Sequence, residues 1–116
     1  MDERRVVYIE HAKAVRRYLR AVDRREEIES SEEWRRSPRY LEILEITEEL
    51  VVRSRNELAQ LRAELENSPN VEDRIYYYAI VEEQKPAYIA KMTDYCERQI
   101  RRIIGNIQEN IKKSLD

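Results

Sequence analysis

Apolar residues recur along this chain at steps of three and four, the spacing of helices rather than of strands. In a first helix, expected from about Glu3 to Glu29, Tyr8, Ala12, Val15, Leu19 and Val22 alternate steps of four and three. That is the narrow stripe of a helix packed lengthwise on another. His11 borders the stripe and has no Cys, Ser or acidic pair at catalytic spacing, so it reads as structural. Residues 30–39 read as a break. Ser30 with Glu33 suits a capping box, Ser37-Pro38 gives a second helix start, and the short turn between them carries Trp34, expected to cover the end of the core. A second long helix is expected from about Arg39 to Glu66, with Leu44, Val51, Leu58 and Leu65 seven apart and Leu61, Ile43 and Leu50 beside them. Thr47 and Ser54 are the weak positions of its seam. The heptad predicts coiled-coil-like packing, and it leaves open whether the partner is the first helix or a second copy.

Asn67-Ser68-Pro69-Asn70 stops the second helix and starts a third, with Pro69 at the helix start. This third helix, Val71 to Glu83, carries a wide band of Val71, Ile75, Tyr78, Ala79, Ile80 and Val81. Tyr76-Tyr77-Tyr78 invites a stacking platform for bases. On a helix, however, three consecutive rings point in different directions, so core and edge packing is the expected role. The stretch from Lys85 to Ile107, KPAYIAKMTDYCERQIRRIIGNI, lays onto a helix-turn-helix. Pro86 stands in a first helical turn, Ala90 is the small residue where two helices cross, and Thr93-Asp94 is the turn. Ile89, Tyr95, Ile100 and Ile103 are the apolar positions that bury the two helices on each other. From Cys96 onward Ile100, Ile103, Ile104, Ile107 and Ile111 share one face, which turns Arg98, Arg102 and Asn106 to the other.

The run Ile89-Ala90-Lys91-Met92, followed by Tyr95 to Ile103, resembles the C-terminal helix-turn-helix of phage-encoded transcriptional regulators of the RinA and ArpU type, which in turn resemble region 4 of bacterial sigma factors. The likeness covers roughly residues 71 to 113. Two residues depart from the pattern: Asp94 stands where such turns usually have Gly, and Cys96 stands where Ser or Thr commonly caps the recognition helix. The resemblance implies a recognition helix, from Cys96 to about Asn110, in the major groove of DNA. Arg98, Arg102 and Asn106 would then read bases, Glu97 and Arg101 would lie at the edges, and Lys85, Tyr88 and Lys91 would lie near phosphates. It also implies activation of late gene expression.

The expected fold is therefore all-α, a long N-terminal helical hairpin or coiled coil over residues 1–66 followed by a small helix-turn-helix over 67–116. Composition narrows the function more than the fold. The net charge of -2 hides a segregation of sign. Residues 1 to 25 hold eight Lys/Arg against four Asp/Glu, residues 26 to 84 seven against sixteen, and residues 85 to 115 seven against three. Basic ends suit phosphate, and an acidic middle suits a protein partner. Lys13, Arg17, Arg20 and Arg24 share one side of the first helix, either as a second nucleic-acid contact or as a solvated face paired with Glu10 and Glu27.

A single Gly excludes glycine-rich phosphate loops. One Cys forbids an internal disulfide, and with one His it cannot make a zinc site of usual spacing. No nucleophile stands with a base, so no enzyme, cofactor or metal is expected. No apolar run is long enough for a bilayer, and the charged start MDERR is no signal peptide, so a cytosolic protein is expected. Two function classes remain. One is a DNA-binding regulator, with double-stranded DNA and RNA polymerase as partners and a homodimer built on the long helices; a small terminase subunit falls in the same class. The other is a helical adaptor that binds only proteins.

Overall fold

The computed structural model describes residues 5–115, and every regular element among them is helical. The order is α1 (Val7–Ser30), α2 (Glu32–Arg36), α3 (Tyr40–Glu66), α4 (Val71–Tyr76) running on into a π-helical turn (Tyr77–Val81), α5 (Pro86–Met92) and α6 (Glu97–Leu115). The fold is all-α, as the spacing of apolar residues predicts. The expected start of the first helix at Glu3 lies outside the described residues. Two compact units emerge: Lys13–Ala59, and a unit that joins the chain up to Ala12 to everything from Gln60 on.

Within Lys13–Ala59, α1 and α3 run antiparallel. Arg17 pairs with Glu57 and Arg25 reaches Glu48 at 3.5 Å, so rising numbers on one helix meet falling numbers on the other. The buried positions are Ala14, Ala21 and Ile28 of α1 with Thr47, Val51, Ser54 and Leu58 of α3. The stripe expected on α1 is not the one used. Leu19 is 53% exposed and Val15 and Val22 are only half-buried. Leu50, expected beside the α3 seam, is also exposed. Side-chain size explains the choice. Ala14 and Ala21 sit seven apart, as do Thr47 and Ser54, so small residues occupy the buried face of both helices between the larger Ile28, Val51 and Leu58. The Thr47 hydroxyl donates to the Ile43 carbonyl at 2.8 Å, so its burial leaves no unmet donor.

The connection also differs from expectation at one residue. α1 continues through Ser30, whose hydroxyl returns to the Glu26 carbonyl at 2.7 Å, and Ser31 becomes the N-cap of α2, accepting from the Trp34 amide. Trp34 is half-buried, with the Arg24 guanidinium 5.3 Å from its ring centroid. Likewise Pro69 does not stand at the helix start: α4 begins at Val71, and Asn70 caps it, its side chain accepting from the Glu72 amide at 2.9 Å.

The second unit is packed with larger side chains. Tyr8, Leu65, Ile75, Tyr76, Ile89, Ile100 and Ile107 form one buried cluster. A polar set is buried among them. The Asp73 carboxylate accepts from the Tyr8 amide at 3.4 Å and from the Ser68 hydroxyl at 2.8 Å. Asp73 thus places a negative charge at the start of α1, where the helix dipole favours it. His11 is 2% exposed, with Nδ1 at 2.7 Å from the Tyr76 hydroxyl and Nε2 accepting from Arg62 at 3.3 Å. Because Arg62 can only donate, the ring proton lies on Nδ1, which donates to Tyr76. Burial, reinforced by the Arg62 charge, holds the His11 pKa down at about 4, so the ring is neutral at pH 7. Burial likewise pushes Tyr76 up to about 12. His11 is structural, as its surroundings in sequence suggest.

Candidate nucleic-acid interface

α5 begins where Pro86 predicts. Lys85 is its N-cap and Pro86 occupies the first turn, where a missing N–H leaves no helical bond unmade. Ile89 is fully buried and Ala90 half-buried against the unit's core. The helix ends at Thr93, whose hydroxyl donates to the Ile89 carbonyl at 3.0 Å and lies 3.4 Å from the Tyr95 amide. This local closure makes the turn without a left-handed residue. The only described non-glycine residue with positive φ is Glu83, so Asp94 stands in for the usual glycine at no conformational cost.

α6 starts at Glu97, one residue later than expected, and Cys96 is exposed. The cap does not depend on the thiol. The Gln99 side chain reaches back to accept from the Cys96 amide at 3.0 Å, the return half of a capping box. Sequence reasoning missed Gln99, although a Gln three residues after the cap position is the pattern to look for. Ile100 and Ile107 are buried, with Ile103, Ile104 and Ile111 packed against the same cluster.

The opposite side of α6 carries Arg98, Arg102 and Asn106, all exposed. Neither arginine forms an ion pair among the described residues. Glu97 and Arg101 behave differently: they hold each other at 2.6 Å, so these two edge positions are already partnered. Lys85, Tyr88 and Lys91 on α5 are exposed, Tyr88 to 43%. Gly105 lies between Arg102 and Asn106 on the same outward face of α6, and a Cβ placed there would meet nothing within 4 Å. A mid-helix glycine costs roughly 0.5–1 kcal/mol relative to alanine. What it provides is a bare backbone where another surface can approach closely. Composition registers this residue only as the chain's one glycine, so its place on that face is apparent only once the face is drawn.

The basic row of α1 is exposed as expected at Lys13, Arg17, Arg20 and Arg24. Arg17 is tied to Glu57 and Arg24 lies 3.5 Å from Glu27 as well as over Trp34, so Lys13 and Arg20 are the less committed members. The tyrosine run makes no platform. Tyr76 is buried, and Tyr77 and Tyr78 stand edge-on at 73°. Tyr77 is pushed up to about 12, first by its hydrogen bond to Glu82. Among the described residues no group of three or more His, Cys, Asp or Glu is placed to hold a metal, and no helix is long and apolar enough to cross a membrane. No protein-family model, curated protein or solved structure matches the chain.

Proposed function

We propose that the chain is a DNA-binding transcriptional regulator of the phage type that its C-terminal half resembles, with α6 as the helix that enters the major groove. The supporting observation is the outward face of α6: Arg98 and Arg102 are exposed beside Asn106 and in no ion pair among the described residues, while Glu97 and Arg101 neutralise each other. Arg and Asn are the residues whose donors match guanine and adenine edges. Lys85, Tyr88 and Lys91 then serve phosphates, which fix position without reading sequence. Glu97 and Arg101 contribute at the rim rather than as base readers. One such unit offers little contact area, so two copies are expected on one operator, with RNA polymerase as the protein partner of an activator. The adaptor reading draws its support from exposed Leu19, Leu41, Ile46 and Leu50 outside this unit.

The test is selection from a pool of random duplex DNA by the wild-type protein and by an Arg98→Ala, Arg102→Ala variant with unchanged helix content. The wild type should enrich one sequence. The double variant should lose roughly 1–3 kcal/mol of discrimination per arginine, and affinity should fall steeply as salt rises. Failure of the wild type to retain duplex DNA at low salt rejects the regulator and leaves the adaptor.

A further inference from the structure

One face of α3 within the unit Lys13–Ala59 is exposed among the described residues. On the side away from the buried seam, Glu42, Ile46, Glu49, Arg53 and Asn56 follow at steps of four, three, four and three, so they share one face. All five are exposed, Ile46 to 57%, and Leu50 at 46% and Val52 at 41% flank the row on its two sides. Two clefts meet at Arg53. One is lined by Val52 with Glu45, Glu48 and Glu49, the other by Leu50 with Arg17, Arg20 and Arg24.

Glu42, at the start of the row, is paired with Arg39 at 3.1 Å, and the charges at its middle, Glu49 and Arg53, are unspent. Glu49 and Arg53 stand four apart in the Glu-before-Arg order that favours an ion pair along one helix. Glu97 and Arg101 of α6 have the same spacing and form that pair at 2.6 Å. Neither Glu49 nor Arg53 is in any ion pair among the described residues. When a second α3 is laid antiparallel on this row about an axis level with Val51, Glu49 of each copy meets Arg53 of the other. Ile46 meets Asn56, and Leu50 and Val52 come beside their own counterparts. An in-register parallel arrangement sets Glu49 on Glu49 and Arg53 on Arg53, which repel. The row is therefore self-complementary in one orientation, as a two-fold contact requires.

We propose that this face of α3 is the surface through which two copies of the chain pair, antiparallel, with Arg53 of each copy on Glu49 of the other. The pairing deepens the DNA-binding reading by giving it its two-copy form, but its test contains no DNA, so either can fail alone.

Sedimentation equilibrium of the full chain, up to ~100 µM, where a modest interface is populated, should show a reversible monomer–dimer equilibrium. Arg53→Glu puts like charges opposite each other twice and should weaken it at least ~tenfold. Adding Glu49→Arg to that variant should restore dimerisation to near the wild-type value. Circular dichroism of each protein guards against unfolding; if Arg53→Glu loses helix, Glu49→Arg alone repeats the test with the opposite sign. A monomeric wild type, a dimer indifferent to Arg53→Glu, or a double variant that stays monomeric overturns the proposal.

Discussion

The two units solve the burial problem in opposite ways. In the α1–α3 hairpin the interior is shared between Ile28, Val51 and Leu58 and the small Ala14, Ala21, Thr47 and Ser54, while Leu19, Ile46, Leu50 and Val52 remain outside. In the C-terminal unit the interior goes to Ile75, Ile89, Ile100 and Ile107, with hardly a small residue among them. Two helices alone can close only one seam. Small side chains take part of that seam, and larger side chains on the flanks stay available to a further helix. Several short helices converging from different directions leave wider gaps, which branched side chains fill. Hydrophobicity thus marks the interior of the second unit and only part of the interior of the first.

The sharpest break of that contrast is a pair of size changes. Ile100→Ala should cost about 2–5 kcal/mol, because the buried side chain leaves a cavity in a unit with no slack. In the hairpin the larger cost should come from adding volume. Ala21→Leu forces apart a seam that is 3% exposed at that point and should cost roughly 1–3 kcal/mol, whereas Leu19→Ala should cost under about 1 kcal/mol. Urea denaturation of the three variants measures this. A costly Leu19→Ala beside a neutral Ala21→Leu reverses the assignment of the seam.

The polar interiors differ in the same way. In the hairpin Thr47 satisfies its own helix, whereas the C-terminal unit buries His11 between Tyr76 and Arg62. The pH dependence has a definite sign. His11 is held near 4 when folded against 6.5 when unfolded, so the unfolded chain takes up the proton first as pH falls. Its contribution is intact above pH 6.5 and is lost as pH drops from 6.5 toward 4. By pH 5 the loss is roughly 2 kcal/mol, at a pH where most carboxylates are still ionised. Urea midpoints at pH 7 and pH 5 should show it, and His11→Phe should flatten the difference. Equal slopes for both proteins place the sensitivity elsewhere.

Much of the C-terminal unit was legible because its signals are strong and local. Pro86 starts a helix, Ile89, Ile100 and Ile107 mark the inside, and Arg98, Arg102 and Asn106 follow as the outside of the same wheel. The heptad of α3 was legible too, but the stripe of α1 was not. α1 carries two stripes at heptad spacing, and the one with the larger side chains, read as the seam, lost to Ala14 and Ala21. That choice depends on Thr47 and Ser54 of the other helix, about thirty residues away. The capping role of Gln99 needed only its spacing from Cys96. The left-handed residue had no signal at all, because the position holds Glu.

That residue gives the smallest and cleanest contrast. α4 and its π-helical turn end with the Glu82 amide on the Tyr77 carbonyl at 3.0 Å and the Gln84 amide on the Tyr78 carbonyl at 2.8 Å. Closing these bonds sets Glu83 at φ 53, the conformation helix ends usually assign to glycine. The chain's one glycine stands instead at Gly105, inside α6, where a helix prefers almost any other residue. Glu83→Gly removes the clash between Cβ and backbone but adds freedom to the unfolded chain, so the net gain should be about 0.5–1 kcal/mol. Gly105→Ala should gain a similar amount. Only the second should also weaken DNA retention, because only the second adds an atom to the face proposed to meet DNA. If Glu83→Gly destabilises, the carboxylate matters more than the backbone. If Gly105→Ala stabilises and leaves DNA binding unchanged, the bare backbone on α6 is not where the groove approaches.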